Sequence, residues 1–341
     1  MNHYIRSIQI ENLFDEKNIV WKLNRVNVLV GKNGFGKSTI LRLINSAITK
    51  KGTADIDLCN EINIQLRNNQ EYHASRENIS HENFKLLLEK FSNSEKFTSV
   101  IESAFSKYSQ EKNIEPELIS EVKKNFLLEI KNKNISFNSN SSKNGNISGF
   151  KFGVNTDKMN TEFISTVNMS ANSVNNITKS TGEHTTLLDD EIEAELQRLN
   201  RNCKANPEMN LKIKLTVALN NFFNETSKII SIDEENIEVT LGNGKKLKYQ
   251  SLSSGERQII FIFLKVINGS VDSSLILMDE PEISLHLSWQ EKLLDEITRV
   301  NESSQIIVVT HSPAILMNGW FDCLTDIKDI FVNKSDSVEV D

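Results

Sequence analysis

Residues 31–39 read GKNGFGKST, and this stretch constrains the fold more than any other part of the chain. It satisfies the pattern G-x-x-x-x-G-K-[ST], which works only between a strand and the start of a helix. Both flanks are present. Residues 26–30 (VNVLV) form a short apolar run of the kind found in a buried strand. Over residues 37–48, Ile40, Leu41, Leu43, Ile44, Ala47 and Ile48 recur at helical spacing. Gly31, Gly34 and Gly36 let the backbone turn tightly, so that successive amides point inward at an anion. The helix start adds its partial positive charge. Lys37 supplies a full charge to the β- and γ-phosphates, the Ser38 hydroxyl suits Mg²⁺, and Thr39 adds a hydroxyl to the α-phosphate. Gly31, Asn33, Gly34, Gly36, Lys37, Ser38 and Thr39 are therefore the candidate binding residues, and the expected cofactors are ATP and Mg²⁺.

A second motif suits the first. Residues 275–282 read LILMDEPE. Four apolar residues followed by two carboxylates describe a buried strand that delivers Asp279 and Glu280 at its C-terminal edge, where ligand sites of open parallel sheets lie. Mg²⁺ prefers hard oxygen ligands, so Asp279 is a candidate metal ligand beside Ser38. Hydrolysis needs a proton acceptor, a role that falls to Glu280 as the candidate catalytic carboxylate.

Around these motifs the 341 residues fall into three segments: 1–79 with the phosphate loop, 80–235 with amphipathic helices and polar loops, and 236–341 with renewed α/β character. In the first, Ile8 and Ile10 alternate with polar residues, and so do Ile62, Ile64 and Leu66, as in half-buried strands. In the middle segment, residues 84–91, 119–130, 189–199 and 211–230 read as helices and 163–167 as a short strand. Residues 131–148 are rich in Asn and Ser and read as a loop or hairpin tip. In the last, 238–241 and 245–249 around a Gly-Asn-Gly read as a hairpin, followed by helix 258–267, strand 275–278, helix 289–300 and strand 306–310. Strands alternating with helices imply a parallel sheet covered on both faces. No heptad run persists, which excludes a long coiled coil. A net charge of −7 gives no global basic field for nucleic acid. Cys59, Cys203 and Cys323 are isolated, as expected in a reducing cytoplasm. No apolar run approaches the roughly 18 residues needed to cross a membrane.

Residues 251–258, SLSSGERQ, resemble the signature motif of ABC-type ATPases, in the variant used by the RecF, SMC and OLD-like branch. A Ser/Gly-rich turn before an apolar helix is by itself a second anion-binding helix start. The resemblance implies that Ser253 and Gly255 contact the γ-phosphate of ATP held by another protomer, giving a homodimer closed around ATP, or a larger oligomer. It also implies that His311, in the Thr-His-Ser that ends the next apolar strand, senses the γ-phosphate and joins Glu280 in catalysis. Residues 281–290 resemble the loop of this branch that approaches the opposite protomer, with Ser284 and His286 facing it. The expected fold is α/β, a P-loop NTPase of ABC ATPase type. It would have a mostly parallel central sheet, an antiparallel N-terminal β region and a helical insertion lobe. The Gln that bridges lobes in this family has no diagnostic match among Gln65, Gln70 and Asn168.

More than 200 residues separate Ser38 from Leu252, a longer spacer than transporter subunits of the family use. About 29 residues follow Ser312; Asp322, Asp326 and Asp329 sit among them, but this stretch is too short for the nuclease domain of OLD proteins, so intrinsic nuclease activity is not expected. The chain looks like the stand-alone ATPase components of prokaryotic anti-phage systems such as Septu and PARIS. That resemblance implies a sensor or scaffold subunit controlling a separately encoded effector, a nuclease or toxin. The alternative is a repair or recombination ATPase of RecF type that binds DNA in its closed dimer.

Overall fold

The computed structural model describes residues 4–51, 54–79, 147–152, 159–166, 176–178, 184–233, 236–272 and 274–332. The helices expected at 84–91 and 119–130, and nearly all of the polar stretch 131–148, lie outside these residues. The chain divides into two compact units. One comprises residues 1–75 and 152–341, the other 76–151. Of the second, the described residues belong to the strands β5 (Glu71–Ile79) and β6 (Ile147–Phe152).

The first unit is built on a five-stranded sheet in the order β15-β3-β14-β13-β7, every neighbouring pair parallel. The strands are β3 (Val26–Val30), β7 (Thr161–Ser165), β13 (Leu275–Asp279), β14 (Gln305–Val309) and β15 (Leu324–Asp326). β13 and β14 are buried along their whole length, which is why both read as continuous apolar runs. Alternate residues serve opposite faces. Val26, Val28, Ile164, Ile276, Met278, Ile306 and Val308 join one core with the helices α2 (Leu187–Ala205), α3 (Leu211–Phe223), α4 (Ser254–Gly269) and α5 (Leu287–Val300). The intervening Leu29, Leu277 and Ile307 are equally buried. α1 (Lys37–Thr49) contacts β13, β14 and β7, and also β4 of the antiparallel sheet.

That antiparallel sheet runs β16-β2-β1-β4-β5, with β1 (Ile5–Leu13), β2 (Lys17–Lys22), β4 (Glu61–Leu66) and β16 (Phe331–Val332). The alternation read at Ile62, Ile64 and Leu66 places all three inside, at 2% exposure or less. β8 (Asn176–Thr178) and β9 (His184–Thr186) form a two-stranded antiparallel ribbon. The expected hairpin around Gly-Asn-Gly is present as β11 (Ile237–Leu241) and β12 (Lys246–Lys248), with Gly244 at φ 80° in the turn. Among the described residues no helix is long and apolar enough to cross a membrane, and no disulfide joins the cysteines.

One sequence reading is corrected. Residues 211–230 do not form a single helix: α3 ends at Phe223, a turn follows, Ser227 takes a left-handed φ of 53°, and β10 (Lys228–Ile232) pairs with β11. The apolar stripe of α3 stops with Phe222 and Phe223, which are wholly buried against Trp289, and the polar Asn-Glu-Thr-Ser that follows offers the core nothing. The isoleucines beyond it alternate with period two, Ile229 outside at 57% exposure and Ile230 inside at 1%. Asn220 fixes the switch. Its side chain accepts from the Ile230 amide at 2.8 Å and donates to the Ile230 carbonyl at 3.0 Å, so it pairs with β10 as a neighbouring strand would.

Phe222 sits between the rings of Phe263 on α4 (5.3 Å) and Trp289 on α5 (5.6 Å). Phe222→Ala should therefore cost about 3–5 kcal/mol of unfolding free energy. Urea unfolding followed by tryptophan fluorescence measures it, and a loss below about 1 kcal/mol would mean that the site collapses around the deletion.

Candidate functional site

The loop between β3 and α1 holds all three of its glycines at positive φ: Gly31 at 148°, Gly34 at 83° and Gly36 at 94°. Two of them are also crowded. A Cβ on Gly31 would lie 2.5 Å from Ile327 Cγ2, and one on Gly36 would lie 2.6 Å from Phe14 Cε2. The loop is therefore wedged between the β1–β2 turn and the segment after β15. Phe35 anchors it further, its ring 6.2 Å from that of Phe331, with the Lys17 ammonium over both rings at 4.7 and 4.8 Å.

α1 starts at Gly36 with no side-chain cap and no acidic residue in its first turn. Its leading amides thus keep their partial positive charge for a ligand. Lys37, 5% exposed, donates to the Gly31 carbonyl at 2.9 Å and the Lys32 carbonyl at 3.4 Å, and its Nζ lies 2.7 Å from His311 Nε2. Burial holds its pKa below the ordinary lysine value, against the attraction of Glu280 and Asp279. Ser38 donates to Asp279 Oδ1 at 2.7 Å. Thr39 is buried and accepts from Arg42 at 3.4 Å, while Asn33 is exposed in the turn. A buried ammonium, three glycines at positive φ, an uncapped helix start and a hydroxyl–carboxylate pair suit the phosphates and the metal of Mg-ATP.

Asp279, 2% exposed, closes β13, and burial raises its pKa despite the Ser38 hydrogen bond. Glu280 follows in a left-handed conformation, φ 52°, which is uncommon for a residue with a side chain. The conformation is over-determined. The Glu280 amide donates to the Val309 carbonyl at 2.9 Å, and the hydroxyl of buried Thr166, just past β7, donates to the Glu280 carbonyl. The Glu280 carboxyl is pushed up to about 8, first by burial and then by hydrogen bonding to Glu282 and by its charge. Such a carboxyl holds its proton to higher pH than an ordinary glutamate. His311 lies two residues past β14 with its Nε2 3.2 Å from Glu280 Oε1 as well as beside Lys37. Burial and the Lys37 charge lower its pKa. As a neutral ring, Nε2 accepts from Lys37 in one tautomer or donates to Glu280 in the other, and cannot do both at once.

Lys37, Ser38, Asp279, Glu280 and His311 thus meet at one sheet edge, while Ser253 and Gly255 lie elsewhere. They line an open cleft of about 510 Å³ together with Lys228, Ser284, His286 and Trp289, and no phosphate-loop residue lines it. Ser253 caps α4 in a capping box. Its Oγ accepts from the Glu256 amide, and Glu256 Oε2 accepts from the Ser253 amide at 3.0 Å and hydroxyl at 2.9 Å. Burial would raise the Glu256 pKa, but hydrogen bonds from Lys228 and Ser253 outweigh it and hold it low. Gly255 is required by contact, since a Cβ there would lie 2.4 Å from the Ser284 carbonyl oxygen. Ser284 itself sits at φ 69°, and His286 caps the start of α5.

Several residues of the site were not singled out from the sequence. Gln258, 2% exposed, donates from α4 to the carbonyls of Pro281 (3.2 Å) and Ile283 (2.8 Å), tying the Ser253 helix to the turn after Glu280. Glu282, 7% exposed, accepts at its Oε1 from the amides of His311 (3.0 Å) and Ser312 (3.1 Å) and from the Thr310 hydroxyl. Gln290 accepts from the Ser312 hydroxyl at 2.6 Å and donates to the Leu285 carbonyl at 2.9 Å. The one sequence signal was the second acid of Asp-Glu-Pro-Glu. Of the glutamine candidates, Gln65 accepts from Ser7 in the antiparallel sheet and Gln70 lies in the β4–β5 turn beside Asn68. Asn168 lies outside the described residues.

The chain is similar to several known proteins. A stretch of the “Retron Vc95 probable ATPase” of Vibrio cholerae serotype O1 biovar El Tor is 29% identical over 85 residues, covering 22% of this chain and 16% of that protein. The “Retron Ec83 probable ATPase” of Escherichia coli is 25% identical over 87 residues, covering 25% and 16%. The “Septu protein PtuA” of Bacillus thuringiensis is 31% identical over 97 residues, covering 25% and 24%. The matches thus span less than a quarter of the length of each of these relatives. Among solved structures, an SMC head domain from Thermotoga maritima is similar at 11% identity and TM-score 0.44, covering 94% of each chain. An SMC head bound to the C-terminal winged-helix domain of ScpA is similar at 13% identity and TM-score 0.48, covering 92% of each. The family described as “AAA domain, putative AbiEii toxin, Type IV TA system” matches residues 26–318. The chain belongs to this AAA domain family.

Proposed function

We propose that the chain hydrolyses ATP as the ATPase subunit of an anti-phage defence system, closing as a homodimer around ATP and controlling a separately encoded effector. The observation that carries the enzymatic part is the convergence of Lys37, Ser38, Asp279, Glu280 and His311 at the edge where β3, β13 and β14 end. In this reading Gly31 to Thr39 wrap the phosphates, with Lys37 on the β- and γ-oxygens. Ser38 and Asp279 hold Mg²⁺, which would neutralise phosphate charge when bound. Glu280 orients water and accepts its proton, and His311 reads the γ-phosphate.

Dimerisation is supported by the separate position of Ser253 and Gly255. A capped helix start facing an open cleft, with no phosphate-loop residue in its lining, is half of a site. A second copy related by a two-fold axis would supply the other half. The likeness to retron and Septu ATPases supports a defence role. The ATP-dependent change between open and closed forms would then set whether the effector is held, which requires ATP to favour one form.

Glu280→Gln should lower kcat by at least about 100-fold and leave ATP affinity within about threefold of wild type. The same variant with Mg-ATP should sediment as a dimer. An unchanged kcat would remove Glu280 from the chemistry, and a monomer at saturating Mg-ATP would remove the closed dimer. Gly36→Ala adds a Cβ against Phe14 at a φ of 94°. Strain of about 1–3 kcal/mol should weaken ATP binding by about 5- to 150-fold, read with a fluorescent ATP analogue. Undiminished affinity would show that the phosphate loop does not need this conformation.

A further inference from the structure

We propose that Glu282 is a positioning residue that locks the His311 turn at the end of β14 to the Glu280 turn at the end of β13. The inference rests on the reading of Glu280 and His311 as the catalytic pair. One buried oxygen, Glu282 Oε1, collects three donors from three consecutive residues: the Thr310 hydroxyl, the His311 amide at 3.0 Å and the Ser312 amide at 3.1 Å. The same His311 amide also reaches Glu280 Oε2 at 3.2 Å, so the two carboxylates share a donor. Only Pro281 separates Glu282 from Glu280, and Pro fixes its own φ.

The geometry leaves the turn few alternatives. Thr310 is wholly buried and its hydroxyl also accepts from the Ser312 amide at 2.9 Å, which closes a tight loop around the His311 backbone. Ser312 is held on its other side by Gln290. On the Glu280 side, Gln258 grips the carbonyls of Pro281 and Ile283, and Thr166 grips that of Glu280. Glu282 is the joint between these two braced turns. A neutral side chain of the same size would keep an acceptor but lose the charge assistance that makes such bonds roughly twice as strong. Without the carboxylate, the His311 ring would not be held at 2.7 Å from Lys37 and 3.2 Å from Glu280 at the same time. The three donors are two backbone amides and a hydroxyl just past β14, whereas Lys37 of the phosphate loop meets the His311 ring, so the lock should govern kcat more than nucleotide binding.

The test combines backbone amide exchange with kinetics on Glu282→Gln and Glu282→Ala. Exchange at the His311 and Ser312 amides should quicken about tenfold in Glu282→Gln and more in Glu282→Ala. kcat should fall in the same order, while affinity for a fluorescent ATP analogue stays within about threefold of wild type. If Glu282→Ala does not fold, Glu282→Gln decides alone. Unchanged exchange at both amides in Glu282→Gln overturns the lock. So does an intact kcat in a variant whose two amides have been released. If the wild-type protein hydrolyses no ATP, the proposed function fails while the exchange data still decide what Glu282 holds.

Discussion

Parallel pairing of β3, β14 and β13 is the constraint on which everything at the site depends. Register places Leu29 opposite Val309, and Val309 opposite Asp279. The loops that leave these strands therefore emerge side by side, although they begin near residues 31, 280 and 310. β7 joins the same edge with Ser165 opposite Asp279, which puts Thr166 under the Glu280 carbonyl. The register is enforced by burial. With both faces of β13 and β14 covered, slipping either strand by one residue would turn every side chain to the opposite face and move Asp279 away from Ser38. The apolar content of these strands, worth about 25 cal/mol per Å² removed from water, thus fixes the position of polar groups it never touches.

The polar edge is held in a form that an isolated peptide would not choose. Glu280 and Ser284 both sit at positive φ, and each lies where another element presses on the turn, Thr166 and the Val309 carbonyl at one, Gly255 at the other. Gln258 spans the distance between them from the signature helix. The helix that begins at Ser253 and the turn that carries Glu280 are consequently mechanically continuous. In the proposed dimer, this tie would connect the Ser253 face to the turn after Glu280 through one buried amide side chain and the carbonyls of Pro281 and Ile283.

Much of this was legible because the relevant signals are local. The phosphate loop carries its own flanking strand and helix, the acidic pair follows four apolar residues, and the Ser-Ser-Gly-Glu turn is a capping box in sequence before it is one in space. Element boundaries at α1, α4, α5, β13 and β14 agree within a few residues for the same reason. The failures are all long-range. The helix read across 211–230 broke because Asn220 could not be seen to pair with Ile230. Glu282 was not singled out because its three donors lie some thirty residues onward. Thr166 carries no motif and Gln258 only closes the SLSSGERQ stretch, and both matter only once β7 lies beside β13 and α4 beside the Pro281 turn. The glycines show a milder form of the same limit: the need for positive φ at Gly31 and Gly36 is readable from the loop, but their crowding by Ile327 and Phe14 is not.

The central claim is that this chain holds two halves of an ATP site on different surfaces, so that neither works without a second copy. The most direct measurement is Mg-ATP hydrolysis by Lys37→Ala protein, by Ser253→Arg protein, and by an equimolar mixture of the two. Lys37→Ala cannot hold the phosphates but keeps an intact Ser253 face, and Ser253→Arg has the converse defect. The account predicts two inactive proteins and a mixture that regains hydrolysis, because a mixed dimer contains one complete site. Full activity of Ser253→Arg protein on its own would contradict it, since the phosphate loop, Asp279, Glu280 and His311 of a single chain would then be sufficient.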